Sequence, residues 1–202
     1  VSEVSRISTI TYSDGSLVSE VNSDLLRIPV TSEEVSDYLK QAVIATEDET
    51  FETHNGVVPK AVLRAALGSI GLGSSSGGST LTQQLIKQQL VGDAPTFTRK
   101  ANEIVSALAL ERNMTKNEIL TIYLNVSPFG RNNQGKNIAG VEAAARGIFG
   151  KTAKELSVPQ AAFIAGLPQS PIVYSPYASD GTRKADDDMI YGIERYQDVL
   201  YN

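Results

Sequence analysis

The chain of 202 residues contains no cysteine and a single histidine. The first lack excludes a disulfide scaffold, thiolate chemistry and a cysteine-based zinc site, and the two together exclude a histidine-rich metal site. No run of about 18 apolar residues occurs, so no segment reads as a membrane-spanning helix. A net charge of −5 argues against a general nucleic-acid binder. Wholesale disorder is excluded as well. Hydrophobic residues make up 41% of the chain and charged residues 20%, enough to bury one sizeable core in one or two lobes. The opening Val1-Ser2-Glu3-Val4 is neither an initiator methionine nor a signal peptide, and the sequence reads as a piece of something longer.

What is present is unevenly spread. Residues 1–58 hold three basic and eleven acidic side chains, residues 59–154 twelve and five, and residues 155–202 three and seven. A basic middle inside an acidic chain suggests an anionic ligand held locally, with a solvated surface as the plain alternative.

Residues 6–30 read as extended, with Asp14-Gly15 as a hairpin turn between β-prone runs. Thr31-Ser32-Glu33-Glu34 has the form of a capping box, and Val35, Leu39, Ala42 and Val43 follow at helical spacing. Pro59 suits a first helical turn, and an apolar stripe, Val62 to Ile70, ends in the Gly/Ser stretch 71–78. Helices are expected from Ser79 or Thr80, from Thr96 or Thr98, and over Ile119–Leu124 behind the capping box Thr115 to Glu118. A polar Gly/Asn loop covers residues 126–137. Further helices are expected over Ile138–Phe149, from the cap Ser157-Val158-Pro159-Gln160, and from about Asp187 with Ile190, Ile193, Tyr196 and Leu200 on one face. The pattern predicts a mainly α fold with a β-hairpin at its entrance.

Three stretches carry chemistry. Glu47-Asp48-Glu49-Thr50-Phe51-Glu52 packs four carboxylates behind an apolar helix. Like charges this close can tune one of them into a base, although spacing alone favours a solvated helix end. His54 on its own reads as a hydrogen-bonded structural histidine. Gly77-Gly78-Ser79-Thr80 feeds a helix start, where free N–H groups, the dipole and two hydroxyls favour an anion. Thr80, Gln84 and Lys87 share one face of that helix. Arg99 and Glu103, four apart, are either a surface ion pair or a carboxylate beside phosphate-gripping cations.

Together these stretches resemble the family 51 glycosyltransferases, the peptidoglycan glycosyltransferase domains of class A penicillin-binding proteins and their monofunctional relatives. Ala45-Thr46-Glu47-Asp48-x-x-Phe51-x-x-His54-x-Gly56 is similar to the first family motif, and Gly77 to Gln84 to the second. Arg99-Lys100-x-x-Glu103 is similar to the third. Lys116-Asn117-Glu118-Ile119-Leu120-x-x-Tyr123-Leu124-Asn125, with Phe129-Gly130, is similar to the fourth, and Gln160 to Gln169 to the fifth. The five stand in family order.

The resemblance implies a lysozyme-like, two-lobed helical domain over 31–178, a hairpin or linker over 1–30 and a linker helix over 179–202. It implies an active cleft between the lobes, with the smaller lobe touching the membrane. The implied reaction is polymerisation of lipid II into β-1,4 glycan, with inversion and release of undecaprenyl pyrophosphate. In that reading Glu47 is the general base and Glu103 the second glutamate, acting at the donor side directly or through a metal. Lys87, Arg99 and Lys100 surround the pyrophosphate, while Asp48, His54, Ser79, Thr80 and Gln84 are substrate-binding positions. Leu67, Ile70 and Leu72 are expected to dip into the membrane. No tightly bound cofactor is implied, with a divalent cation, Mg or Mn, as an option at the pyrophosphate. The implied partners are lipid II, the growing glycan, the membrane surface and the phosphoglycolipid inhibitor moenomycin, with a transpeptidase domain in the parent chain as an option; nucleic acid is not among them. The implied location is the outer face of the bacterial cytoplasmic membrane.

The chain departs from the family pattern at Ser76, where glutamine is usual, and at Gln88, where asparagine is. It also has no arginine over residues 92–95. Neither Ser-x-x-Lys nor Lys-Thr-Gly occurs, so transpeptidase chemistry is not encoded in these residues. The rivals are a lytic glycosidase and a non-catalytic module that binds precursor or membrane. The first needs no cations at its leaving group, and the second needs neither Glu47 nor Glu103.

Overall fold

A computed structural model describes residues 9–11, 17–20, 25–62, 64, 78–89 and 96–201, with the backbone alone at 9–11, 17–20, 89 and 96–97. The fold is mainly α. The chain divides into two compact units, one of Val1–Leu39 with Leu124–Asn202, the other Lys40–Tyr123.

In the first unit, β1 (Thr9–Thr11) and β2 (Leu17–Glu20) pair antiparallel, with a register shift between Ile10 and Thr11. This is the hairpin read from the sequence; its turn lies outside the described residues. β3 (Leu25–Arg27) joins a three-stranded sheet with β4 (Pro128–Arg131) and β5 (Asn137–Ala139), in the order β3-β5-β4. β3 runs parallel to β5, and β4 antiparallel to it. The expected loop over 126–137 is thus largely a second hairpin. Its strands, of four and three residues, are too short to show alternation in the sequence, where the Gly and Asn turn residues dominate. That turn is real: Asn132 Oδ1 accepts from the backbone N–H groups of Gln134 and Lys136, both at 3.0 Å. The helix expected from Ile138 accordingly starts later, as Val141–Phe149.

Asn125 pins the entering chain to this sheet. Its side chain accepts from Val30 N–H and donates to Val30 O, each at 2.8 Å. Helices Val141–Phe149 and Val158–Gly166 bury alanines against the same core. The second of them opens on the Ser157–Gln160 capping box. The C-terminal helix Ile190–Tyr201 packs through Gly192, buried against Tyr174, and through Val199. Of the expected face, Ile190, Ile193 and Leu200 are 38–51% exposed, while Tyr196 is half-buried with its ring 6.2 Å from that of Phe163. The helix approaches by its small residue, so the buried seam is Met189, Gly192 and Val199 instead.

The second unit is helical. We number its helices α1 (Asp37–Glu47), α2 (Leu81–Gln89), α3 (Thr96–Asn113) and α4 (Lys116–Val126); α1 and α4 each extend past the division. Thr31–Glu34 forms its capping box, yet only a 3-10 turn follows. Ser36 Oγ accepts from Leu39 N–H at 3.2 Å, and this second cap starts α1 afresh. A short helical stretch includes residues 59–62. Phe51, Leu81, Leu85, Ala107, Ile119, Leu120 and Tyr123 form the core of the unit.

Candidate active site

Glu47 is the last residue of α1, and Asp48 begins the turn that follows. The Asp48 carboxylate is 9% exposed and heavily engaged. Oδ2 accepts from Leu81 N–H at the start of α2 (2.9 Å) and pairs with His54 Nε2 (2.7 Å). Oδ1 accepts from Thr50 Oγ1 at 3.3 Å. Gly56 N–H donates to His54 Nδ1 at 2.9 Å, so Nδ1 is the acceptor and Nε2 carries the proton that faces Asp48. Both ring nitrogens of His54 are therefore used by the protein.

Beneath this pair lies a second buried set. Lys116 Nζ donates to His54 O at 2.7 Å, pairs with Glu111 at 2.8 Å and sits 4.6 Å above the centre of the Phe51 ring. Glu111 also accepts from Thr82 Oγ1 at 2.5 Å. Thr80 Oγ1 donates to Gly56 O at 2.6 Å. Gly56 itself has φ +91°, and a Cβ there would come within 2.7 Å of Ala107 O. Only glycine serves at this crossing. The network welds the segment after Glu47 to the N-terminus of α2.

That weld leaves an open recess of about 430 Å³ lined by Ala45 to Thr50, Val58, Ala61, Arg64 and Gly78 to Thr80. Glu47 stands in its wall, where Oε2 accepts from Gln84 Nε2 at 3.0 Å. The far end of the same amide, Gln84 Oε1, accepts from Tyr123 Oη at 3.2 Å. At the glycine-fed start of α2, Ser79 Oγ is met by Lys100 Nζ at 3.2 Å. Lys100 is also in tight contact with Glu103, which is 3% exposed, so a buried carboxylate holds the ammonium near the Ser79 hydroxyl. Lys87 and Arg99 are exposed and outside the recess lining.

The structure thus brings Glu47 to Gln84, and Ser79 to Lys100 and Glu103. It sets Glu47, Asp48, Ser79 and Thr80 around one recess. Leu67, Ile70 and Leu72 lie outside the described residues. Sequence reading gave no role to Tyr123, Glu111, Thr82, Lys116 or Arg64. Thr82, Lys116 and Tyr123 stand within the motifs, but their side-chain partners are on other helices and no local spacing announces them. The residues here do not fit a divalent cation: Glu103 is paired with an ammonium, and among the described residues no three histidine, aspartate or glutamate side chains are placed so that they could hold a metal ion.

Comparison with known proteins gives a consistent result. The family described as Transglycosylase matches residues 14–197. Penicillin-binding protein 1A of Pseudomonas aeruginosa is 38% identical over 164 residues, covering 81% of this chain and 19% of that protein. Penicillin-binding protein 1A of Clostridium botulinum (strain Langeland) is 39% identical over 199 residues, covering 96% and 23%. Penicillin-binding protein 1B of Haemophilus influenzae is 40% identical over 157 residues, covering 77% and 20%. A crystal structure of penicillin-binding protein 1A from Haemophilus influenzae aligns with a TM-score of 0.44 and 24% identity, covering 98% of this chain and 17% of that one. The chain spans about a fifth of the length of these relatives.

Proposed function

The chain belongs to the transglycosylase family, and we propose that it is a peptidoglycan glycosyltransferase domain that polymerises lipid II into β-1,4 glycan. The observation that carries this reading is a carboxylate, Glu47, in the wall of an open recess whose other side is the start of α2, where the exposed Ser79 hydroxyl meets the Lys100 ammonium.

Glu47 takes the proton from the acceptor 4-hydroxyl as its oxygen attacks the anomeric carbon of the donor sugar. The bond from that carbon to the pyrophosphate oxygen breaks on the opposite face, and its electron pair leaves with the lipid pyrophosphate. The configuration is inverted. The leaving group is already a stabilised anion, so it needs positive charge and donors rather than a strong acid. Lys87, Arg99 and Lys100 supply the charge, and the exposed Ser79 hydroxyl a donor at the start of α2, which the buried Thr80 backs by tying its own hydroxyl to Gly56 O. Glu103 keeps Lys100 in place. The same grip takes the phosphate of moenomycin. No step is routed through a metal. The domain works on the outer face of the cytoplasmic membrane, where its lipid-linked substrate resides, within a longer penicillin-binding parent.

Glu47→Gln is expected to cut lipid II polymerisation by about 10²–10⁴-fold, the range for loss of a general base, in a protein that still melts cooperatively. Near-normal polymerisation by a well-folded Glu47→Gln variant would overturn the assignment.

A further inference from the structure

We infer that Tyr123 is a positioning residue for the base: through the side-chain amide of Gln84, its hydroxyl fixes how Glu47 is held. The inference rests on the reading of Glu47 given above.

The geometry is a three-member chain across separate helices. Glu47 Oε2, at the end of α1, accepts from Gln84 Nε2 of α2 at 3.0 Å, and Gln84 Oε1 accepts from Tyr123 Oη of α4 at 3.2 Å. An amide has two ends of nearly equal shape and opposite polarity, while an ionised carboxylate only accepts. Turning the amide over would aim its carbonyl oxygen at the carboxylate. With the tyrosine hydroxyl on one side and the carboxylate on the other, one orientation alone satisfies both ends.

The two flanks of this chain are already rigid. Tyr123 is 0% exposed, so its ring cannot carry the hydroxyl elsewhere. The start of α2 is tied to Asp48, the residue next to Glu47, by the 2.9 Å bond from Leu81 N–H. What remains loose is the half-buried Gln84 side chain itself, a long flexible arm. The tyrosine hydroxyl tethers its tip. A base must meet the acceptor proton within hydrogen-bond reach, and a misplacement of about 1 Å can cost 10²-fold in rate. Holding one carboxylate oxygen on a tethered donor limits rotation of the Glu47 head without touching substrate.

The test uses Tyr123→Phe, which keeps the ring and removes the hydroxyl alone. Polymerisation of lipid II is followed at varied substrate to separate kcat from KM, with melting curves recorded alongside. The expected result is a kcat lowered by about ten- to a hundredfold, KM within about twofold of wild type, and an unchanged fold. Gln84→Met, which keeps the reach of the arm, closes a double-mutant cycle. If the hydroxyl acts through Gln84, adding Tyr123→Phe to Gln84→Met costs nothing further; losses that multiply would overturn the inference. A wild-type kcat in Tyr123→Phe, with Glu47→Gln inactive, also defeats it while leaving the base assignment standing. An active Glu47→Gln variant removes that assignment instead.

Discussion

At Asp48 a single carboxylate serves a backbone amide, an imidazole and a threonine hydroxyl, all within hydrogen-bond reach. Its neighbour Glu47 meets one amide and faces the recess. Two adjacent acids therefore do different work because of where α1 ends: the final helical residue points to the recess, and the next turns inward. Replacing Asp48 by asparagine keeps the size but presents an NH2 group or a neutral oxygen where Leu81 N–H and His54 Nε2–H both need an acceptor. Hydrogen bonds to charged groups contribute about 1.5–3 kcal/mol each. Asp48→Asn is expected to lower the denaturant midpoint by an amount of that order and to impair polymerisation through misplacement of Glu47. Equal denaturation midpoints for variant and wild type would show that the inward carboxylate is dispensable.

On the scale of elements, the helix starts are stabilised by reciprocal caps. Thr115 N–H donates to Glu118 Oε2 at 2.8 Å, and Glu118 N–H returns to Thr115 Oγ1 at 3.3 Å. The backbone N–H of Thr115, and after it the Thr115 hydroxyl that donates to the same Oε2 at 2.8 Å, hold the Glu118 carboxyl below its usual 4.5. A lowered carboxyl favours the fold while it is ionised, so its contribution is complete above that usual value and disappears as the pH falls through the folded-state value. Glu118→Gln, which keeps the shape and removes the charge, should therefore melt lower than wild type at pH 7, with the gap closing as the solution is acidified past pH 4.5. A gap that stays constant down to pH 3 would rule out this linkage.

Caps of this kind are legible in sequence because both partners lie within one turn. The same holds for Ser157 with Gln160, and for the β1–β2 hairpin, whose turn and flanking residues are contiguous. The parallel pairing of β3 with β5 is not legible, since more than a hundred residues separate the strands and each is three residues long. Nor is the buried seam of the C-terminal helix, where a glycine rather than an aliphatic stripe makes the contact. At the candidate site the local groups, Glu47 after its helix and Ser79-Thr80 before theirs, stand out in sequence. The Lys116–Glu111 pair and the Tyr123–Gln84 bond depend on how separate helices pack, and periodicity is silent about them.

For the molecule as a whole, the lipid-linked substrate of the function proposed above would set a geometric demand. Its tail stays in the bilayer while its pyrophosphate is held by protein, so the domain has to offer an apolar tip and a cation set together. Among the described residues no helix is long and apolar enough to cross a membrane. The sequence from Gly68 to Gln83 carries no charge and is built largely of glycine, serine and apolar residues, with Leu67, Ile70 and Leu72 in or beside it. A chargeless stretch can enter the headgroup layer without the desolvation cost that an ionised side chain carries. The exposed cations Lys87 and Arg99 follow it in sequence and suit the phosphate at the surface. On this proposal Leu72→Asp lowers binding to liposomes and lowers polymerisation of long-chain lipid II. Turnover of a short-chain, water-soluble analogue is retained, because that substrate does not require the bilayer. The melting temperature should change little, since the substitution falls in a Gly/Ser-rich stretch of the sequence. Liposome co-sedimentation of the two proteins decides the matter: equal binding by wild type and Leu72→Asp would mean that this stretch does not enter the membrane.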